Sequence, residues 1–536
     1  MIKAVKYACA AALTAALLGA MANPARAKQI PFDQATIAEL EAAMAKGTLS
    51  AEKLMELCLA RIKAYDRDGP KLHAVITLNP KALEQAKAMD AERKAGKVRG
   101  PLHGIPVVLK DNYDTFDMQT TGGSVLLAGN VPPDDAYMVK KLRDGGAIIL
   151  AKVNMGEFAN GGQSSMGGQS HNPHDLARGP AGSSGGTGVA IAAGYAPLGL
   201  GTDTGGSIRG PSSVNGIVGL KPTHGLVSRD GIIPLGLSLD TGGPMTRTVA
   251  DIAISLGVMT GVDPKDSATR KSEGKFEKDY TKYLRADALK GARIGWARDF
   301  AGADPDVDWI VESAVIAMRK AGATVVDVRY PKWFLGASTQ ALYTLFSPEF
   351  EAQLGDYLKA KTGPGYPKTL DQMIERAKEY RSMGEDGQGP NPLRWRAFID
   401  RDKANGSLTD PGYIALRDYF MPMTKKLVED TMAKDKLDAI IYPTGMRRPG
   451  LIAEPPGPAT PTGTSPTGIA NLSGSPDLIV PAGFTTDDLP VSVSFFGTVF
   501  SEPKLLALGY SFEQATHALR RPVTTPALDG SMIEIP

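Results

Sequence analysis

The sequence predicts an α/β fold, a mixed or parallel sheet covered by helices, and three observations carry that expectation. Short, β-branched apolar runs alternate with helical patterns between Ile105 and Leu220. Apolar residues make up 42% of the chain and charged residues 22%, enough for a large core and too apolar for disorder to dominate. The 60 glycines and 39 prolines follow no three-residue period, so they read as tight turns in a loop-rich globular fold. A length of 536 residues would accommodate about three domains of roughly 150 residues. No stretch reads as a linker, however, and one domain over residues 28–536 is expected.

The N-terminus comes first. Lys3 and Lys6 precede an apolar stretch from Ala8 to Ala22, and Ala25-Arg26-Ala27 has the small-x-small pattern of a leader cleavage site. The stretch is broken by Thr14 and Gly19 and falls short of the roughly 20 residues a membrane span needs. Residues 1–27 are therefore expected to be a cleaved export signal, with cleavage after Ala27, a periplasmic or secreted product and no stable membrane insertion. Removing Lys3, Lys6 and Arg26 leaves 57 basic against 58 acidic residues. A net charge this close to zero gives no drive toward nucleic acid or an anionic membrane. Cys9 leaves with the leader, so Cys58 is alone and no intrachain disulfide is expected. Nothing in the sequence specifies an oligomeric state.

From Phe32 to Tyr65 apolar residues recur at three and four, as in Leu54, Leu57, Cys58 and Ile62, which predicts helices with Ser50 as an N-cap. Cys58 lies on the apolar face and reads as a packing residue. Ile105 to Leu109 reads as a strand buried on both faces that ends at Lys110. Asp134 is placed to cap a helix carrying Ala136, Val139 and Leu142, stopped by Gly145 and Gly146, with Ala147 to Leu150 as the next strand. A small-residue helix from Val189 to Ala193, closed by Gly194, and strands at Leu198–Leu200 and Ile217–Leu220 continue the alternation. Residues 340–415 are more polar toward their end, with a helical patch at Met373–Tyr380 and a break at Gly387–Pro392. This segment is expected to be peripheral and to shape a substrate site. A helix near Tyr419–Met432, a strand at Ala439–Tyr442, a proline-rich loop at Glu454–Gly468, a strand at Val491–Phe495 and a helix at Pro503–Leu519 complete the chain.

The chemistry-bearing motifs lie in residues 100–250. Leu102-His103-Gly104-Ile105-Pro106-Val107-Val108-Leu109-Lys110 places one lysine at the end of an apolar strand. Gly182-Ser183-Ser184-Gly185-Gly186 and Gly201-Thr202-Asp203-Thr204-Gly205-Gly206-Ser207-Ile208-Arg209 are Gly/Ser turns at strand or helix ends, and neither ends in the Gly-Lys-Ser/Thr of a phosphate loop. Successive glycines let backbone N–H groups converge on one point, the geometry of an oxyanion hole, and Ser207 follows such donors directly.

Together these motifs resemble the amidase signature family, and within it bacterial peptide amidases. The likeness extends through Gly168-Gln169-Ser170-His171-Asn172-Pro173, Ser238-Leu239-Asp240-Thr241 and Val480-Pro481-Ala482-Gly483-Phe484. It implies an α/β/α sandwich around a mixed twisted sheet and hydrolysis of a carboxamide C–N bond through an acyl-enzyme, on a small-molecule amide and with neither metal nor organic cofactor. It makes Ser207 the nucleophile, Ser183 a bridging serine behind a cis peptide, and Lys110 the base, with Thr204, Gly205, Gly206 and Ser207 supplying oxyanion donors. Asp203 and Arg209 are expected to shape the turn. A lysine serves as a base only when neutral, so its pKa must fall from about 10.4 to near neutrality, roughly 4 kcal/mol of differential interaction that burial can supply.

The same residues also match motifs of other protein classes. Gly182-Ser183-Ser184-Gly185-Gly186 also fits Gly-x-Ser-x-Gly, with Ser184 as the nucleophile. Ser50-x-x-Lys53, Ser170-His171-Asn172 and Lys361-Thr362-Gly363 mimic the motifs of penicillin-recognising enzymes. His171 and His174 lack a third metal ligand at a recognisable spacing. A periplasmic binding protein explains export but gives Lys110, Ser183 and Ser207 no joint purpose.

Overall fold

A computed structural model describes residues 28–162, 164–379, 407–453 and 465–536. The expected leader at 1–27, the break at 387–392 and residues 454–464 of the proline-rich loop lie outside the described residues. Thirteen strands are described: β1 Lys28–Pro31, β2 Val75–Leu78, β3 Pro106–Lys110, β4 Ile148–Val153, β5 Leu198–Asp203, β6 Val218–Lys221, β7 Thr241–Thr246, β8 Arg293–Ala297, β9 Thr324–Val328, β10 Ala439–Pro443, β11 Asp477–Phe484, β12 Pro490–Phe496 and β13 Met532–Ile535. Eleven form one mixed sheet in the order β2-β4-β3-β5-β7-β6-β11-β12-β10-β8-β9, and β1 pairs with β13. The expected α/β class with a mixed sheet covered by helices holds.

The sheet centre positions the site. Pro106, Val107, Val108 and Leu109 of β3 are all buried, as a strand covered on both faces requires, and β3 runs parallel to both β4 and β5. β7, which carries Gly242-Gly243-Pro244 and has no counterpart among the expected strands, lies between β5 and β6. A Cβ on Gly243 would lie 2.2 Å from the Leu220 carbonyl oxygen, so only glycine admits this strand spacing. Pro244 is tolerated because the ladder with β6 involves only Thr246 and Met245.

The helices mostly match their sequence signals, with three differences. The helix Tyr137–Asp144 has Ala136 at its N-cap and no side-chain cap, so Asp134 does not cap it. Asp134 instead forms an ion pair with Lys361. The helix expected at Val189 starts at Gly185, because Gly185–Gly188 offers almost no apolar side chains from which a period can be read. Residues 332–361, most of them expected at the periphery, form one 30-residue helix. Its Leu342, Phe346, Phe350 and Leu354 share an apolar cluster with Phe158, Ile233 and Leu239 of the motif-bearing region. The segment thus packs over the site.

Ser50 is an N-cap, as expected: its side chain accepts from the Lys53 N–H at 3.0 Å. Cys58 is fully buried, and burial pushes its thiol up to about 12. Replacing Ser50 by Ala should cost about 1 kcal/mol of stability, read as a lowered urea midpoint, with kcat unchanged. A loss of turnover without a loss of stability would return Ser50 to the list of nucleophiles.

Candidate active site

Strand register brings the motif residues together. In the parallel β3–β5 ladder Leu109 lies opposite Leu200, so Lys110, one residue on, reaches the end of β5. There Lys110 Nζ donates to Ser183 Oγ at 2.7 Å, to Thr202 Oγ1 at 2.8 Å and to the Thr202 carbonyl at 3.4 Å. Lys110 is completely buried, and no carboxylate lies within ion-pair distance among the described residues. Burial lowers its pKa from 10.5 to about 7, opposed by the charges of Asp203 and Asp240.

Ser183 follows a cis peptide from Gly182 and is itself buried. A Cβ on Gly182 would fall 2.2 Å from the Gly161 carbonyl oxygen, so the turn is shut against residues 161 and 162 and needs glycine. The turn is joined to the Ser207 segment through its backbone: the Ser184 N–H donates to the Ser207 carbonyl at 3.3 Å. Ser184 Oγ accepts from the Thr202 N–H at 3.3 Å and donates to the Thr202 carbonyl at 3.2 Å. Fully buried and so occupied, Ser184 ties strand to turn and has no path to a substrate. Ser207 is half-buried, and its hydroxyl has no hydrogen-bond partner among the described residues.

The 203–209 segment is held by a buried ionic network. Asp203 accepts from the N–H groups of Gly206 at 2.9 Å and Ile208 at 3.0 Å, and Arg209 Nη2 meets it at 2.8 Å. Burial alone would raise the Asp203 carboxyl, but the charge and hydrogen bonds of Arg209, helped by Asn471, hold it well below the usual range. Arg209 Nη1 also reaches Asp477 Oδ2 at 3.0 Å and the Thr467 carbonyl at 2.7 Å. The expectation for Gly206 needs correcting. Its N–H is taken by Asp203, which leaves the N–H groups of Thr204, Gly205 and Ser207 as the donors without a protein acceptor among the described residues.

Sequence reasoning missed several groups that complete the site. Asn112 Nδ2 donates to Thr202 Oγ1 at 3.1 Å, and Thr467 Oγ1 to the Gly205 carbonyl at 2.7 Å. Leu342 of the 332–361 helix lies 4.0 Å from where a Cβ on exposed Gly205 would sit, so it forms a wall beside the turn. Asp477 and Asn471 are about 270 residues from Asp203, and only topology brings them together. The Asp203 motif hints at buried charge but names no partner. His171 and His174 bond the carbonyls of Leu176 and Asn215, and no cluster of three metal-ligating side chains occurs among the described residues.

Known proteins share this fold. A family model described as Amidase matches residues 53–506. The structure is similar to the peptide amidase of Stenotrophomonas maltophilia, with a TM-score of 0.84 and 39% identity over 92% of this chain and 100% of that one. It also resembles a glutamyl-tRNA(Gln) amidotransferase subunit from Thermotoga maritima, with a TM-score of 0.70 and 28% identity over 92% and 98% of the two chains. The corresponding glutamyl-tRNA(Gln) amidotransferase subunit from Chloroflexus aurantiacus is 36% identical over 496 residues, 90% of this chain and 96% of the relative.

Arg209 offers a direct test of the network. Arg209→Met leaves Asp203 and Asp477 buried without their cation and should cost about 3–5 kcal/mol, seen as a large fall in melting temperature. A melting temperature near the parent's would show that the network is dispensable.

Proposed function

Since the chain belongs to the amidase family and is a C–N hydrolase of that class, we propose that it cleaves carboxamides through a Lys110–Ser183–Ser207 relay and an acyl-enzyme on Ser207. The observation that carries this reading is the completely buried Lys110 Nζ, 2.7 Å from Ser183 Oγ, with its pKa lowered to about 7. Neutral Lys110 keeps two N–H groups for Thr202 and turns its lone pair to Ser183. Ser183 passes its proton to Lys110 and takes the Ser207 proton as Ser207 Oγ bonds to the amide carbon. The carbonyl electron pair moves to oxygen, where the free N–H groups of Thr204, Gly205 and Ser207 receive it. The pair then returns, the C–N bond breaks, and nitrogen takes a proton from Ser183, which regains one from Lys110. Water repeats the sequence on the ester and releases the acid.

For the substrate we favour the C-terminal carboxamide of peptides over transfer chemistry on charged tRNA. The TM-score of 0.84 to a peptide amidase against 0.70 to a subunit of an amidotransferase supports this choice. The leader-like residues 1–27 point the same way, since export would take the protein away from charged tRNA. A screen of the purified protein on peptide amides, aryl amides, cyclic amides, carbamates and esters should show fastest turnover, read as ammonia release, on peptide amides. Equal or faster turnover of another class would reassign the substrate. N-terminal sequencing of protein from the periplasm or medium should read from Lys28, and a retained Met1 would rule the leader out.

Turnover should follow the ionisation of Lys110. Only the neutral amine is a base, so kcat/KM should fall about tenfold per pH unit below about 7 and level off above it. A flat profile from pH 5 to 9 would exclude the relay. Lys110→Met should lose about 10²–10⁴-fold in kcat and yet melt higher than the parent at pH 7. In the unfolded chain the amine is protonated up to 10.5, and folding strips that proton at a cost on the order of 4–5 kcal/mol. Methionine removes this cost, which exceeds the about 1–3 kcal/mol lost by leaving the buried Ser183 hydroxyl without its Lys110 partner. A lower melting temperature would mean that Lys110 is held charged.

A further inference from the structure

The relay leaves one buried carboxylate beside the site without a role. In the antiparallel β5–β7 ladder Asp203 lies opposite Thr241, which sets the next pair, Thr204 and Asp240, against each other. Thr204 Oγ1 donates to Asp240 Oδ1. The other oxygen, Oδ2, accepts from the N–H groups of Leu235 at 2.8 Å and Gly236 at 3.0 Å. Asp240 is only 9% exposed and has no ion pair among the described residues. The charge of Arg229, which lines the same small cavity, acts on it, but the guanidinium is paired with Asp266 at 2.6 Å. A buried carboxylate that no cation neutralises is costly and needs a reason to be kept.

Two features suggest that reason. Among the described residues Thr204 carries one of three free N–H donors, and Asp240 is the one partner of its side chain. Asp240 also acts electrostatically on Lys110, and Asn112, Thr202, Thr204 and Asp240 line one small cavity beside it. The charged groups around Asp240 are Lys110 and Asp203 at the strand ends, Arg229 on its loop, and Glu349 of the 332–361 helix, which lies against Gly236. We propose that Asp240 is a positioning residue: it holds the Thr204 end of the donor turn in place and presents its negative charge to Lys110. This inference rests on the Lys110–Ser183–Ser207 reading.

The test compares Asp240→Asn, Thr204→Val and Thr204→Ser by kcat, KM and the pH profile of kcat/KM on a peptide amide, with melting temperatures alongside. Removing an anion that favours the ammonium frees the lone pair at lower pH, so the acid limb of Asp240→Asn should move to lower pH while its plateau kcat falls about 10–100-fold. Thr204→Val keeps the charge, so its kcat should fall with the limb in place, and Thr204→Ser should restore kcat to within about twofold. An unmoved limb in folded Asp240→Asn, or a Thr204→Val kcat within about twofold of the parent, overturns the proposal. If Asp240→Asn does not fold, equal kcat in Thr204→Val and Thr204→Ser overturns it. Turnover retained by Ser207→Ala would instead overturn the relay, whatever the Asp240 variants do.

Discussion

A primary amine buried without a counter-ion is the constraint around which the site is arranged. Among the described residues three lysines are completely buried, and their partners differ. Lys152 has Asp111 at 3.2 Å and is a structural ion pair. Lys221 is lowered to about 8 by burial, but its Nζ meets only the carbonyls of Pro222 and Ser475, which have no proton to give. Lys110 alone is both lowered to about 7 and set against a serine hydroxyl. Low basicity is common to Lys110 and Lys221, so the partner, not the pKa, assigns the chemistry.

Two backbone ladders turn that constraint into geometry. The parallel β3–β5 register delivers Lys110 to Thr202, and the antiparallel β5–β7 register delivers Asp240 to Thr204. Both meet at the C-terminal end of β5, where the donor turn begins. The turn is then gripped by unlike carboxylates. Asp203 is held fully ionised by Arg209 and engages Gly206 and Ile208, whereas Asp240 is raised to about 6 by burial and engages Thr204. Both carboxylates favour the charged form of Lys110, Asp203 more than Asp240, and burial of the amine outweighs them.

How much of this is legible in the sequence depends on the distance over which each signal acts. Lys110, Ser183 and Ser207 stand in local motifs that read directly, and so do the Ser50 cap and the buried strand before Lys110. Their partners do not. Asp240 and Thr204 meet only if Thr241–Thr246 is a strand, and its Thr-Gly-Gly-Pro carries no alternating apolar pattern to mark one. Asp477 and Asn471 reach Arg209 across more than 260 residues. The 332–361 helix hides for another reason: it is apolar on more than one side. Leu342, Phe346 and Phe350 join one cluster and Phe334 and Leu335 another, so no single stripe marks it. Gly206 shows the reverse error, since a glycine placed for an oxyanion hole spends its N–H on Asp203.

The serines settle among themselves by one criterion, where each hydroxyl's hydrogen-bonding capacity goes. Ser50 spends its oxygen on the N-terminus of a helix. Ser184 bonds both the N–H and the carbonyl of Thr202, so attack by its oxygen would have to break a strand-to-turn joint. Ser183 is committed to Lys110, which suits a proton carrier that must stay in place while its charge changes. Ser207 lies at the half-buried mouth, beside unoccupied N–H donors, with its oxygen uncommitted among the described residues. A nucleophile must be free in the ground state and stabilised only as it reacts, and of the serines in these motifs Ser207 alone meets both conditions.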